Sequence, residues 1–446
     1  MRYVQFTEDD QQQMLAAIGV ESIGTLFKDI PENERLTAPL ELPPPLSEPE
    51  LLADLKQLAA RNRTCDELPC FLGCGAYDHF IPTVVDALFA QSGFLTGYTP
   101  YQAEASQGSL QAFFEFQTMV CQMTGMDVAN ASLYELSTAL TEAVLMARGV
   151  TRRPNVVSAR AVHPDCKRVL QTYLADEPFT LKECPAATGR VEPQAVADLI
   201  DEQTAAVIVQ SPNFFGQIEP LDEIAKVVKA SGALLIVIID PLSTGVLKRA
   251  GDLGADIVVA EGQPLGIPLS CGGPYLGLLA CRDKYLRKIP GRVIGETVDA
   301  EGRRGFCLTL QTREQHIRRE KATSNICTNQ GLMATRAAIY MSAVGKLGLR
   351  GIAELCLHKA HYAVERIAEL PGYSLRFDGP FFKEFVVRSE RPVERVLQHA
   401  RSKGVLAGVP LGRWFDDLND CFAVAVTERR TKAEIDALVD ALASAD

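Results

Sequence analysis

Two apolar runs that each end on polar residues, with one amphipathic stretch between them, constrain this chain more than any other feature. Val207-Ile208-Val209-Gln210-Ser211-Pro212-Asn213 is followed by the helical pattern Leu221–Ala230 and then by Leu234-Leu235-Ile236-Val237-Ile238-Ile239-Asp240. Short, continuous, β-branched runs of this kind suit strands buried on both faces, as in a parallel sheet covered by crossover helices. The same alternation extends over residues 75–330, where Asn155–Ser158, Ala205–Gln210, Ala233–Asp240 and Asp256–Ala260 are the clearest strands. An α/β domain with a mostly parallel sheet is therefore expected there. Ligands of open α/β sheets gather beyond the carboxyl ends of the strands, which places Asn213 and Asp240 near one cleft. Turn formation by Pro212-Asn213 and Asp240-Pro241 accounts for the same residues, and the local pattern does not separate the two readings.

The flanks differ in character. Residues 1–74 read as an arm: helices over Asp9–Ile18 and Ser22–Phe27, a proline joint at Leu42–Leu46, and a helix to about Asn62 opened by the Ser47/Glu50 capping box. Residues 331–446 read as a small α+β domain, with a long helical stretch over Gln330–Leu370 closed by Pro371-Gly372 and strands at Lys383–Val387 and Cys421–Val426. A length of 446 residues suits such a division, since single cores stop growing below that size. The net charge of −11 argues against nucleic-acid binding. No apolar run is long enough to span a bilayer, the longest being Gly232–Ile239, so no membrane role is expected. The N-terminal Met1–Asp10 is acidic where a secretory signal would be basic and then apolar, which makes the cytoplasm the expected location. Twelve cysteines show no paired rhythm, and Cys65, Cys70 and Cys74 match no zinc spacing, so buried thiols and no metal are expected.

The arrangement around Asn213 and Asp240 resembles fold-type I pyridoxal-phosphate enzymes, the aspartate aminotransferase-like class. In those enzymes an aspartate pairs with the pyridine nitrogen and an asparagine contacts the ring hydroxyl. A carboxylate there keeps the pyridinium protonated, and the protonated ring serves as the electron sink. The resemblance assigns these positions to Asp240 and Asn213. A phosphate-binding helix start should precede them, and Ser137 and Thr138 within Asn130–Ala143 suit it. Yet no glycine lies between Gly125 and Gly149, and Glu135 brings a negative charge, so ordinary N-capping by Ser132 or Ser137 fits equally. His163, in Ala161-Val162-His163-Pro164 soon after a strand end, stands where such enzymes stack an aromatic on the ring, or is a satisfied structural histidine, as His316 also can be.

The Schiff-base lysine is missing. Covalent catalysis by pyridoxal phosphate needs a lysine amine on the loop after the strand Asp256–Ala260, but no lysine occurs from Arg249 through Asp283. Ala260-Glu261-Gly262-Gln263-Pro264-Leu265-Gly266-Ile267-Pro268 stands there, with Lys248 before it and Lys284 after the next apolar strand. This absence and the segments Met14–Val20, Phe71–His79, Tyr98–Gly108, Gly262–Pro268 and Arg313–Gln330 resemble the alpha chains of two-subunit P-proteins of the glycine cleavage system. The resemblance implies glycine dehydrogenase (aminomethyl-transferring, decarboxylating) activity, pyridoxal phosphate on a partner beta chain, an α2β2 assembly, and transfer of the aminomethyl group to a lipoylated H-protein. One departure is Glu135-Leu136-Ser137, where those alpha chains carry Asp-Gly-Ala. A self-sufficient enzyme using another lysine, and a non-catalytic scaffolding or regulatory homologue, are the rival readings.

The polar loop Tyr98–Gly108 precedes a long helix over Leu110–Thr124, and in fold-type I dimers this region reaches toward the neighbouring site. Tyr98 and Tyr101 are thus candidates to act in the partner's active site, with interface packing as the alternative. The window Arg282–Lys321 holds eleven Lys/Arg against six Asp/Glu, which suits either docking of an acidic lipoyl carrier or a mixed-charge solvated surface.

Overall fold

The computed structural model describes residues 5–445 except 37, 39, 96 and 323, so Met1–Val4 of the N-terminal reading and Thr323 of the quoted segment lie outside it. The chain forms two compact units, Met1–Arg63 and Thr64–Asp446. In the first, Thr7 caps the helix Glu8–Ile18 through a capping box with Asp10, and Gly19 ends it in the left-handed conformation. Ser22 opens the tight turn Ile23–Phe27, and Ser47 with Glu50 opens the helix Glu48–Ala59. None of these three elements buries a residue, and Met14, Ile18, Leu51, Leu52, Leu55 and Leu58 are exposed.

The second unit begins inside the segment assigned to the arm. Phe71 is fully buried, its N–H donates to the Leu406 carbonyl at 2.8 Å, and its carbonyl accepts from Ala425 at 3.0 Å. Residues 64–74 thus belong with the C-terminal part of the chain.

The large sheet contains β1 (Val128–Ala129), β2 (Asn155–Ala159), β3 (Leu181–Cys184), β4 (Thr204–Gln210), β5 (Leu234–Ile239), β6 (Ile257–Glu261) and β7 (Gly277–Cys281). Their order is β1-β7-β6-β5-β4-β2-β3; β7 runs antiparallel to both neighbours and the remaining pairs are parallel. β5 and β6 are buried throughout, as the unbroken apolar runs require of a sheet covered on both faces. Helices Leu136–Thr151 and Leu221–Ser231 pack on it, the latter stopped by Gly232 at φ 74°. A separate hairpin pairs β8 (Val293–Val298) with β9 (Arg304–Thr309).

The small layer is an antiparallel sheet of β10 (Tyr373–Leu375), β11 (Glu384–Ser389), β12 (Val409–Pro410) and β13 (Cys421–Ala425), ordered β10-β11-β13-β12. One helix, Gly331–Ala368, serves both layers and is interrupted at Gly345, whose φ of 61° and ψ of −177° suit glycine alone. Before the break Ala334, Ala337 and Tyr340 join the core of the large sheet; after it Ala360, Ala363 and Ile367 join that of the small sheet.

Glu142 lies on the buried side of the helix Leu136–Thr151, 2% exposed, and its Oε2 has no hydrogen-bond partner. Burial pushes its carboxyl up to about 7, against a hydrogen bond from Ser324. A carboxyl raised in the folded state contributes stability fully present below its unfolded value, and that contribution fades as pH rises through about 7. Glu142→Gln, which resembles the protonated form, should therefore gain about 1–3 kcal/mol at pH 8 and under about 1 kcal/mol at pH 5. Thermal unfolding at both pH values tests this, and equal effects at the two would contradict it.

Candidate active site

The carboxyl ends of β4 and β5 meet over one small cavity. Asp240 follows β5 and caps a short turn, its Oδ1 accepting from Leu242 N at 2.9 Å. Its Oδ2 lies 2.6 Å from the ammonium of Lys383, the residue before β11. At the end of β4, Gln210 accepts from the His163 N–H at 2.9 Å. His163 Nδ1 accepts from Asp165 N at 3.2 Å, so Nε2 carries the proton and donates to the Cys74 carbonyl at 2.9 Å. Burial holds the His163 pKa below the ordinary histidine value, in agreement with a neutral ring. The ring meets Phe214 edge-on at 4.9 Å.

His163, Gln210, Asp240, Glu261, Lys383 and Glu384 are among the cavity's lining residues, and its volume is ≈ 40 Å³. Such a space takes a few waters at most. Three of the other expected contacts are engaged elsewhere. Asn213 faces away from the cavity: its amide donates to the Gly189 carbonyl at 2.8 Å and to Glu219 at 2.7 Å, while its oxygen accepts from Phe215 N and Gln217 N, each at 3.0 Å. It closes the turn after β4, where a side chain accepting from amides two and four residues on makes the loop rigid. Thr138 is bound to Glu135, with Thr138 N donating to Oε1 at 2.9 Å and the hydroxyl donating to Oε2 at 3.0 Å. Ser137 Oγ sits 3.4 Å from the Cys166 thiol. At the same helix start Leu136 N donates to Glu261 Oε2 at 3.1 Å.

Glu261 also accepts from Gln263 N at 3.0 Å and Leu276 N at 3.1 Å. Burial nevertheless pushes its carboxyl up to about 7. On the loop where a Schiff-base lysine is expected, the buried Gln263 donates to the carbonyls of Tyr77 at 3.0 Å and Ile267 at 2.8 Å, so it holds backbone. Lys248 does not line the Asp240 cavity, and Lys284 pairs with Asp256 at 3.5 Å.

Lys383 was not singled out from the sequence. Its ammonium lies 3.6 Å from the centre of the Tyr77 ring and donates to His79 Nε2 at 2.9 Å, and His79 Nδ1 in turn lies 2.6 Å from Glu428. Burial and the Lys383 charge keep His79 below its ordinary pKa. Tyr77 donates to Glu384 Oε2 at 2.6 Å, and Cys74 N donates to Glu384 Oε1 at 2.8 Å. The one signal available was the pair Lys383-Glu384 inside Phe381-Phe382-Lys383-Glu384-Phe385, two charges in an aromatic strand run.

A pyridoxal phosphate does not fit this cavity: the carboxylate for its nitrogen is paired, the helix-start amides of Leu136 and Thr138 are taken, and the space is too small for ring and phosphate. Among the described residues His79, Cys356 and Glu428 stand close enough to share a metal ion. However, His79 and Glu428 already satisfy each other, and Cys65, Cys70 and Cys74 form no such group.

Tyr98 and Tyr101 lie elsewhere. Tyr98 is 86% exposed and lines a separate cavity of ≈ 190 Å³ with Phe94, Ser109 and Asn329. The Tyr101 hydroxyl accepts from Arg292 at 3.2 Å, and the buried Arg292 also donates to the Cys327 carbonyl at 2.7 Å and to Asn329 at 3.1 Å. In the basic window, Arg303 pairs with Asp299 and Glu301, Arg304 with Glu296, and the exposed His316 stands 3.4 Å from Glu314.

The sequence profile of the family described as "Glycine cleavage system P-protein" matches residues 1–442. A protein of Desulfitobacterium hafniense named probable glycine dehydrogenase (decarboxylating) subunit 1 is 50% identical over 439 residues, covering 98% of each chain. The protein of the same name from Anoxybacillus flavithermus is 49% identical over 441 residues, covering 99% of this chain and 98% of its own. A crystal structure titled glycine decarboxylase (P-protein) of the glycine cleavage system, in inhibitor-bound form, superposes with a TM-score of 0.93 at 42% identity and full coverage of both chains. Glutamate decarboxylase of Lactobacillus brevis shares the fold alone, with a TM-score of 0.70 at 15% identity over 93% of this chain and 96% of its own. The architecture is that of fold-type I pyridoxal-phosphate enzymes, with a mostly parallel seven-stranded sheet.

Proposed function

The chain belongs to the glycine cleavage system P-protein family, and on that premise we propose that it is the cofactor-free subunit of a two-subunit glycine decarboxylase. Its activity is glycine decarboxylation within the glycine cleavage system, exercised with pyridoxal phosphate and a second subunit. The finer division of labour rests on one observation: no lysine stands between Arg249 and Asp283, and Gln263 holds the loop that would carry it.

Pyridoxal phosphate, held by the beta chain, supplies the electron sink for loss of CO2. This chain's residues contribute the wall of the shared site, with Tyr98 and Tyr101 presented to the partner across the interface, and exclude water from it. The assembly is α2β2, it passes the aminomethyl group to a lipoylated H-protein, and it works in the cytoplasm. Among the described residues no helix is long and apolar enough to cross a membrane.

Co-expression with the second subunit tests this directly. Exchange of the glycine carboxyl group with bicarbonate, measured with lipoylated carrier, should require both chains. Borohydride trapping should label a lysine of the second subunit. A stoichiometric label on Lys248, Lys284 or Lys383 would instead favour a self-sufficient enzyme, and no gain on adding the second subunit would favour a scaffolding role.

A further inference from the structure

A bound pyridoxal phosphate makes two charged demands on its protein: a carboxylate for the pyridinium N–H and a set of amides at a helix start for the phosphate. Both sets of groups exist in this chain, and both are engaged by its own side chains. The ammonium of Lys383 sits on Asp240 Oδ2 at 2.6 Å, where a pyridinium would donate. The carboxylate of Glu261 accepts from Leu136 N at the start of the helix Leu136–Thr151, and from Gln263 N and Leu276 N beside it. Glu135 takes the amide of Thr138 on the same turn. A cation stands where a cation would, and carboxyl oxygens accept where phosphate oxygens would. Filling by apolar bulk would have left Asp240, only 11% exposed, without a countercharge and three amides without acceptors, and each such orphan is expensive.

We propose that Lys383 and Glu261 are internal substitutes for the pyridinium and the phosphate, which keep this cavity closed and charge-balanced with no cofactor. Lys383 gains further support from His79 Nε2 at 2.9 Å and the Tyr77 face at 3.6 Å, the additional contacts that a buried ion pair needs to offset its desolvation. Because Lys383 leads into β11 and Asp240 ends β5, the pair also ties the small sheet to the large one. The large and small layers are thereby held in one closed arrangement that needs no ligand. The proposal rests on the reading that this chain is the cofactor-free subunit of the complex.

The test is thermal unfolding of the full-length chain as wild type, Lys383→Met, Asp240→Asn, the double variant and Glu261→Gln. Each single change at the ion pair should lower the midpoint by roughly 5–10 °C, because it strands a buried charge. The double variant should lose less than half the sum. Glu261→Gln should also lose several degrees, since an amide offers one acceptor to three donors. Additive losses, or a silent Glu261→Gln, would overturn the proposal. The second arm adds millimolar pyridoxal phosphate to the wild-type chain. No shift of the midpoint is expected, and a saturable rise would overturn the proposal; this arm needs no variant and so decides where one fails to fold. Cofactor content of the two-subunit complex, measured separately, tests the functional reading and leaves this result untouched.

Discussion

Asp78→Ala should destabilise the folded chain by about 3–5 kcal/mol, the range for removing one partner of a buried charge cluster. Asp78 Oδ1 accepts from Arg429 at 2.6 Å and Oδ2 from Arg430 at 2.9 Å, while its carbonyl accepts from the Thr427 hydroxyl at 2.8 Å. The Arg430 side chain is 2% exposed and two of its nitrogens have no hydrogen-bond partner, so without Asp78 it keeps, among the described residues, one ion pair, with Glu434 at 3.4 Å. Burial raises the Asp78 pKa above the usual carboxylate value, against the pull of the two guanidinium groups. Arg429→Ala is the control, because that arginine also reaches the exposed Asp66 and is itself partly solvated; it should cost under about 1 kcal/mol. Denaturant unfolding of the two variants decides the matter. Equal losses would mean that Arg430 does not depend on Asp78.

Tyr98→Phe in the reconstituted complex should lower glycine–bicarbonate exchange by about tenfold or more while leaving assembly intact, as expected when a single hydroxyl that acts on a reacting group is lost. Tyr98 projects into solvent at 86% exposure, so its ring contributes little to packing within this chain. Tyr101 differs, since Arg292 holds its hydroxyl at 3.2 Å and also fixes Asn329 beside the Tyr98 cavity. Tyr101→Phe therefore combines any effect on substrate with a loosened Arg292, and should be compared with Arg292→Lys. If both tyrosines only pack against the partner, Phe variants will be silent and Ala variants will weaken association. Exchange rates and sedimentation on the same Phe and Ala variants separate these outcomes; unchanged exchange in both Phe variants would remove the catalytic role.

Most of the large sheet was legible because its strands are unbroken β-branched runs ended by polar residues. The expected Ala205–Gln210 differs from β4 by one residue at its start, and the expected Asp256–Ala260 is offset from β6 by one residue at each end. The capping box at Ser47 and Glu50 was readable for the same local reason. What escaped was long-range. Nothing near Asp240 in sequence announces that a lysine from the small layer will reach its carboxylate, and nothing near Phe71 announces its pairing with Leu406 and Ala425. Asn213 was left between two local solutions, a ligand contact and a turn, because both start from the same Pro-Asn pair; the hydrogen bonds from Phe215 N and Gln217 N show the turn. The negative charge of Glu135 was visible, but its capture of Thr138 in place of an external anion depended on the geometry of the helix start.

The break at Gly345 bears on how the molecule opens. A continuous rod from Gly331 to Ala368 would couple the small sheet to the large one, so that fraying in one half would run along a single hydrogen-bond ladder into the other. With φ at 61° the ladder stops and restarts, and each half is protected by the core it packs against. Each half of the helix is then expected to open with the core it packs against, so hydrogen exchange should give different protection on either side of residue 345.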